Sequence, residues 1–219
     1  MKKLVIFDLD GTLINSIEDL GQAANYALSK NGFPTHSLAS YPFFVGNGVR
    51  NLIRKALPEE NRNDTTIDSL LKDFKEYYDD HNVDATKPYD GIMELLKQLQ
   101  EQGVKLAVAS NKYQKATEKI VSQLFPDIKF VSVQGQQDGV NVKPDPSIVF
   151  KILGVALVPK AEVLYVGDSG VDMETARRAC VDSVGVTWGF RSEKELNEYH
   201  ADRIVHRASD IFDIVMDVK

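Results

Sequence analysis

Leu4-Val5-Ile6-Phe7-Asp8-Leu9-Asp10-Gly11-Thr12 lies at the start of the chain and decides how the rest is read. The apolar run Leu4 to Phe7 is too short for a membrane span or a signal-peptide core. It has the length and β-branched content of a strand buried on both faces, the kind found in parallel sheets. Asp8 and Asp10 follow at the strand's carboxyl end. With side chains alternating, both carboxylates face the same side while Leu9 turns to the core. Gly11 gives the backbone freedom that a sharp exit from the strand requires.

Outward from this strand the chain has two characters. From Ser16 to Lys30, apolar residues recur at helical spacing (Ile17, Leu20, Ala24, Ala27, Leu28), and Asn31-Gly32 closes the helix. Gly46-Asn47-Gly48 breaks the chain, Val49 to Leu57 reads as a second helix, and Asp64-Thr65-Thr66 can cap a third that carries Ile67, Leu70, Leu71, Phe74 and Tyr78 on one face. After Lys87-Pro88 the pattern becomes alternation. Strands are expected at Val104–Ala109, Phe130–Val133, Val163–Val166, Ser183–Thr187 and Arg203–Val205, with helices at 92–99, 116–124, 146–153 and 171–179 between them. Strand–helix alternation implies a doubly wound parallel sheet with helices on both faces, a Rossmann-like α/β core. The first strand belongs to that later block. The expected organisation is therefore a core made of residues 1–14 and 85–219, interrupted after its first strand by an all-helical cap over residues 15–84.

Composition narrows the function. The 219 residues carry a formal net charge of −6 and no long run of like charges, which argues against a nucleic-acid binder. The single cysteine, Cys180, permits no intrachain disulfide, and the four histidines come with no cysteine cluster to suggest zinc. A cytoplasmic protein with no membrane or nucleic-acid partner is the expectation, with its oligomeric state left open.

In open parallel sheets, ligands bind beyond the carboxyl ends of the strands. Four such ends carry polar groups here: Asp8-Leu9-Asp10, Ser110-Asn111-Lys112, the loop holding Lys143, and Gly167-Asp168-Ser169 with Asp172 behind it. Carboxylates this close repel one another unless a cation lies between them or one is protonated. Mg²⁺, which prefers hard oxygen ligands, is the expected cation. Each piece also has a plainer reading. Asp10-Gly11 fits a simple turn, Ser110 and Asp168 fit helix caps, and Lys143 between Val142 and Pro144 fits a solvated surface turn. The convergence of four distant segments on one edge weighs more than any one of them.

These segments resemble the signature motifs of the haloacid dehalogenase-like hydrolase superfamily, in its phosphoglycolate-phosphatase-like branch. The matching stretches are Phe7-Asp8-Leu9-Asp10-Gly11-Thr12-Leu13, Ser110-Asn111-Lys112, Lys143-Pro144-Asp145-Pro146 and Val166-Gly167-Asp168-Ser169-Gly170-Val171-Asp172, in family order. Gly46-Asn47-Gly48-Val49-Arg50 and Thr187-Trp188-Gly189-Phe190-Arg191-Ser192 resemble that branch as well. The resemblance implies a Mg²⁺-dependent phosphatase that hydrolyses a small phosphorylated metabolite, phosphoglycolate foremost, through an aspartyl-phosphate on Asp8. Asp10 would protonate the leaving oxygen and then activate water. The Asp8 carboxylate, the Asp10 main-chain carbonyl and Asp168 would hold the metal, and Asp172 would orient a metal-bound water. Ser110, the Asn111 N–H and Lys143 would grip the phosphoryl oxygens. The expected sheet order is of the 3-2-1-4-5 kind, with the connections near 13–15 and 82–88 as a hinge for the cap. Arg50, in the first turn after Gly46-Asn47-Gly48, is the candidate for pairing with a carboxylate on the leaving group.

Some departures and rivals remain. Asn15 stands where many relatives carry Asp, Ser110 where Thr is common, and Cys180 where a helix-ending glycine is usual. A left-handed backbone at Cys180 would cost roughly 1 kcal/mol, and the residue is expected to be small and buried rather than reactive. Neither a dinucleotide fingerprint nor a P-loop is present. Dehalogenase chemistry needs neither Asp10 nor Asp168. A phosphomutase of the β-phosphoglucomutase kind, and phosphatases for a sugar phosphate, a nucleotide or pyrophosphate, stay open. A non-catalytic binding protein should have lost one of Asp8, Asp10, Lys143 or Asp168, and all four are present.

Overall fold

The computed structural model describes residues 1–217. Strand β1 (Leu4–Phe7) is buried along its whole length. A two-residue strand β2 (Ile14–Asn15) leads into helices α1 (Ile17–Lys30), α2 (Gly48–Ala56) and α3 (Asp64–His81), and the chain returns through β3 (Lys87–Pro88). From there helix and strand alternate: α4 (Ile92–Glu101), β4 (Lys105–Tyr113), α5 (Gln114–Leu124), β5 (Phe130–Gln136) and α6 (Ser147–Ala156). The second half continues with β6 (Val163–Gly167), α7 (Gly170–Ala179), β7 (Asp182–Val186), α8 (Glu193–Glu198), β8 (Arg203–Val205) and α9 (Ala208–Met216).

Six strands form one sheet in the order β5-β4-β1-β6-β7-β8, and every pairing in it is parallel. Renumbered along the sheet, this is the expected 3-2-1-4-5 order with β8 added at the edge. β1 lies between β4 and β6, where the direction of winding reverses, and the crevice of a doubly wound sheet opens at that switch point. Alternation along β1 serves both faces. Leu4 and Ile6 pack with Val149 and Ile152 of α6 and Ala176 of α7, whereas Val5 and Phe7 join the larger cluster on the other side. That larger cluster also takes in Leu20, Leu52 and Phe74 of the helical segment, so apolar burial ties α1–α3 to the sheet.

β2 and β3 pair antiparallel, Ile14 opposite Pro88 and Asn15 opposite Lys87, which sets the outgoing and returning chain side by side. Buried Asp19 of α1 reinforces the return: its carboxylate accepts from the N–H groups of Ala85 and Thr86 at 2.9–3.2 Å and from the Thr86 hydroxyl at 2.6 Å.

Several local expectations are corrected. Asn63, not the Asp64-Thr65-Thr66 run, caps α3, its side chain accepting from Thr66 N–H at 3.0 Å. The cap of α5 is Tyr113, because β4 continues through Ser110-Asn111-Lys112 before the helix begins. Ser169 caps α7 in a reciprocal box with Asp172, which frees Asp168 from that duty. Cys180 does adopt a left-handed backbone, φ 56°, as the C-cap of α7, but its side chain is exposed rather than buried. A helix end at the surface offers no core for it to enter.

Candidate active site

The site begins with the turn after β1. The Asp8 N–H donates to the Val166 carbonyl at 2.9 Å, extending the pairing with β6 by one residue and fixing the Asp8 side chain at the sheet edge. The Leu9 carbonyl accepts from the N–H groups of Leu13 at 3.0 Å and Ile14 at 3.1 Å, closing a tight loop with Leu9 fully buried beneath it. Gly11 is required at the top of this loop. Its φ is 89°, and a β-carbon there would lie 2.4 Å from an Asp168 oxygen. Gly189 crowds Asp168 from the other side, where a β-carbon would come within 2.3 Å of the Asp168 Cβ. Two backbone segments thus clamp this carboxylate, and the Phe190 N–H donates to it at 2.7 Å.

Lys143 is buried, not a solvated turn residue. Its ammonium lies 2.8 Å from Asp8 Oδ1, 2.7 Å from Asp172 Oδ1 and 3.0 Å from the Ala109 carbonyl, which uses all three donors. Asn111 holds this lysine's backbone in place. Asn111 Oδ1 accepts from Lys143 N–H at 2.8 Å, and its amide donates to the carbonyls of Lys143 and Gly46, each at 3.2 Å. Asp172 is saturated: Oδ2 takes the Ser169 hydroxyl at 2.6 Å and the Ser169 N–H at 3.2 Å, while Oδ1 takes Lys143.

Asp10 points elsewhere. One oxygen accepts from the Ser16 hydroxyl at 2.5 Å, and the other lies 3.1 Å from the Lys112 ammonium. Lys112 is itself buried and donates to the Tyr78 hydroxyl of α3 at 2.8 Å. Lys112 belongs to the Ser110-Asn111-Lys112 motif, yet nothing near it in sequence points to its partners. Ser16 and Tyr78 had no local signal at all, because their roles come from approach across the fold. Ser110 is buried at the same edge, its hydroxyl accepting from the Lys112 N–H at 3.2 Å.

Carboxylate oxygens of Asp8, Asp168 and Asp172 lie within 4.8 Å of one another, a cluster able to hold a metal ion. Burial, with the Asp172 charge second, pushes the Asp8 carboxyl well above the usual carboxylate range, against the pull of Lys143. Burial and then Asp172 raise Asp168 to about 7, against the Phe190 N–H. Burial disfavours the charged form of Lys143, but Asp172 and Asp8 outweigh it and hold the ammonium protonated. If all four carboxylates (Asp8, Asp10, Asp168, Asp172) were ionised they would exceed the two ammonium groups (Lys112, Lys143) by two negative charges, an imbalance that favours protons on Asp8 and Asp168 unless a cation is bound. That all-oxygen donor set and charge fit a hard divalent cation.

A cavity opens over these groups. Asp8, Asp10, Ser110, Asn111, Lys143 and Asp168 line its floor, and Val45, Gly46, Gly48, Val49 and Leu52 close it from the helical segment. Gly48 approaches the sheet closely, since a β-carbon there would be 3.4 Å from the Asn111 carbonyl. Two sequence candidates do not line this cavity: Asp172, buried behind Lys143 and Ser169, and Arg50, which the fold turns away from it. Its half-exposed guanidinium turns outward to Asp64 at 2.7 Å and to Asp68, both in the first turns of α3. Two nearby carboxylates outcompete an apolar-walled cavity for that cation. Arg191, also missed as a site residue, does border the cavity, and it donates to the carbonyls of Pro42 and Val45.

The chain belongs to the haloacid dehalogenase-like hydrolase family, whose sequence pattern matches residues 5–186. It is thus an enzyme of the hydrolase class. Among its relatives, a phosphoglycolate phosphatase of Pseudomonas syringae pv. tomato is 33% identical over 215 residues, covering 94% of this chain and 76% of that one. A phosphoglycolate phosphatase of Mannheimia succiniciproducens is 31% identical over 219 residues, covering 97% and 98% of the two chains. The crystal structure of a candidate phosphoglycolate phosphatase from Lactobacillus delbrueckii subsp. bulgaricus superposes with a TM-score of 0.92 at 34% identity, covering 98% of this chain and 99% of that one.

Proposed function

We propose that this protein is a Mg²⁺-dependent phosphatase that hydrolyses phosphoglycolate by way of an aspartyl-phosphate on Asp8. The observation that carries the reading is the buried Asp8 carboxylate, paired to Lys143 at 2.8 Å on the floor of a cavity beside an acidic cluster. The names of the relatives support the substrate, and the acidic cluster supports the metal.

Asp8, Asp168 and the Asp10 main-chain carbonyl would hold Mg²⁺, which when bound neutralises charge on the nucleophile and on the phosphoryl group alike. The chain's own groups supply the remainder. An Asp8 oxygen attacks phosphorus, the bond from phosphorus to the leaving oxygen breaks, and Asp10 gives that oxygen its proton. Water then attacks the aspartyl-phosphate, Asp10 takes back a proton, and inorganic phosphate leaves with the Asp8 carboxylate restored. Lys143 holds Asp8 in place and offers its charge to the phosphoryl oxygens as they develop negative charge, with the Ser110 hydroxyl beside it. Asp172 keeps Lys143 oriented. Phosphoryl transfer asks for alignment and charge neutralisation more than for covalent chemistry from the protein, and this arrangement supplies both.

The helical residues 15–84 act as a cap over the core of 1–14 and 85–219, the last two of which lie outside the described residues, excluding bulk water from the first step, with the paired connections β2 and β3 as its hinge. No helix among the described residues is long and apolar enough to cross a membrane. A cytoplasmic enzyme acting on a small metabolite is the reading we adopt. Phosphate release from phosphoglycolate with Mg²⁺, and its loss in excess chelator, is the test. Undiminished turnover in chelator would remove the metal from the reading, and absent turnover of phosphoglycolate would remove the substrate.

A further inference from the structure

If the floor of the cavity binds the phosphoryl group, something else must read the leaving group, and Arg50 does not reach it. Among the described residues, three cations border the cavity: Lys112, Lys143 and Arg191. Lys143 has all its donors engaged at Asp8, Asp172 and the Ala109 carbonyl. Arg191 spends its terminal nitrogens on the carbonyls of Pro42 and Val45. Lys112 differs. An ammonium has three donors, and the contacts of this one are Asp10 at 3.1 Å and the Tyr78 hydroxyl at 2.8 Å. A third donor is left at a group that borders the cavity and is 3% exposed.

Its position gives that donor a purpose. Asp10 protonates the leaving oxygen in the proposed reaction, so a cation 3.1 Å from the Asp10 carboxylate stands on the leaving-group side of phosphorus. The walls there are Leu20, Val49, Leu52, Phe74 and the Tyr78 ring, which exclude water and strengthen any charge pairing made among them. Tyr78 arrives from α3, so the Lys112 site is complete only while the helical segment lies on the sheet.

We propose that Lys112 is the specificity-determining cation, and that it selects phosphate monoesters whose leaving alcohol carries a carboxylate next to the ester oxygen, the phosphorylated 2-hydroxy acids. The inference rests on the phosphatase reading above and names the residue that would give it its preference for an acidic leaving group. A carboxylate one carbon from the leaving oxygen reaches the free donor, and its charge is compensated inside an apolar enclosure. A neutral leaving group, even one whose amide oxygen accepts from that donor, would forgo the charge assistance.

The test compares kcat/KM for 2-phosphoglycolate and for its neutral amide, 2-phosphoglycolamide, using the Mg²⁺-loaded enzyme. Wild type should prefer the acid. Lys112→Met should lose about 10- to 150-fold more on the acid than on the amide, the scale of one charge-assisted hydrogen bond. Lys112→Arg should restore part of that difference. Because Lys112 also touches Asp10, both substrates will slow in Lys112→Met; the ratio between them separates recognition from a general loss. Equal kcat/KM for acid and amide in the wild type overturns the inference without any variant, as does an equal loss on both in Lys112→Met. Absence of wild-type turnover of these two and of p-nitrophenyl phosphate overturns the phosphatase reading itself, a result distinct from turnover without preference.

Discussion

The most quantitative consequence of the acidic cluster concerns the metal-free protein. Burial and the neighbouring Asp172 raise Asp168 to about 7, whereas an unfolded aspartate titrates near 3.9. A carboxyl whose folded value is raised contributes stability that is fully present below the unfolded value and is lost as pH rises through the folded one. Between pH 5 and pH 7 the folded protein holds a proton at Asp168 that the unfolded chain has given up. Integrating over that interval, raising the pH removes about 2 kcal/mol of stability. For a chain of this size that corresponds to a fall in Tm of roughly 4–8 °C. Asp168→Asn removes the titrating group, keeps its volume, and leaves an oxygen to accept the Phe190 N–H. The assay is thermal unfolding in chelator, wild type beside Asp168→Asn, at pH 5, 6 and 7. The difference between the two profiles should grow with pH in favour of the variant, and saturating Mg²⁺ should flatten the wild-type profile. Parallel profiles in chelator would refute the electrostatic account of this cluster.

Other expectations follow from single residues. Asp8→Asn should reduce phosphatase turnover to background with the fold intact by circular dichroism; retention of activity within tenfold, about 1.4 kcal/mol in barrier, would exclude covalent catalysis at Asp8. Arg50→Ala should leave the acid-to-amide preference within about threefold of wild type, because the guanidinium is engaged by Asp64 and Asp68, and these exposed pairs contribute roughly 0.2–1 kcal/mol each to stability. A tenfold change in that preference would return Arg50 to the cavity. Gly189→Ala sets a methyl group 2.3 Å from the Asp168 Cβ, so activity should fall at least tenfold at limiting Mg²⁺, with recovery as Mg²⁺ is raised. Titrating Mg²⁺ against rate checks this, and an unchanged Mg²⁺ dependence tells against Asp168 as a ligand. Cys180→Gly should stabilise the protein by about 0.5–1 kcal/mol by relieving the left-handed backbone at φ 56°; denaturant melts that show no gain would deny strain there.

How far the sequence could be read depended on whether the deciding interaction was local. The core strands announced themselves through short apolar runs, and their polar carboxyl ends located Asp8, Ser110, Lys143 and Asp168 at one sheet edge. The expected end of β4 at Ala109 was early, because hydrophobic patterning stops where polar site residues begin, although Ser110, Asn111 and Lys112 stay in the strand and stay buried. Lys143 beside Pro144 is locally indistinguishable from a surface turn; only the carboxylates of Asp8, at the end of β1, and Asp172, in the first turn of α7, explain its burial. Arg50 went the other way. Its place in a first helical turn was legible, but its partners Asp64 and Asp68 lie a helix away, and no local pattern shows which face meets them. Lys112 is illegible for the same reason: its partner Tyr78 is 34 residues distant.

The pairing of Ile14 with Pro88 and Asn15 with Lys87 gives the fold a kind of modularity. The chain leaves the core through β2 and returns through β3, a separate antiparallel pair whose strands lie about 5 Å apart. The register of β1 against β4 therefore carries little memory of what the chain does in between, and doubling the length of a connecting segment adds only about 0.6 kcal/mol of closure entropy. Lineages built on this plan can lengthen, shorten or exchange the intervening helices while the carboxylates and lysines at the sheet edge keep their places. In this chain the coupling back to the chemistry passes through contacts such as the Tyr78 hydroxyl on Lys112 and the main-chain carbonyls of Pro42 and Val45 on Arg191. Those contacts are where an exchanged segment would have to be refitted, and where a new substrate range could arise without disturbing the nucleophile.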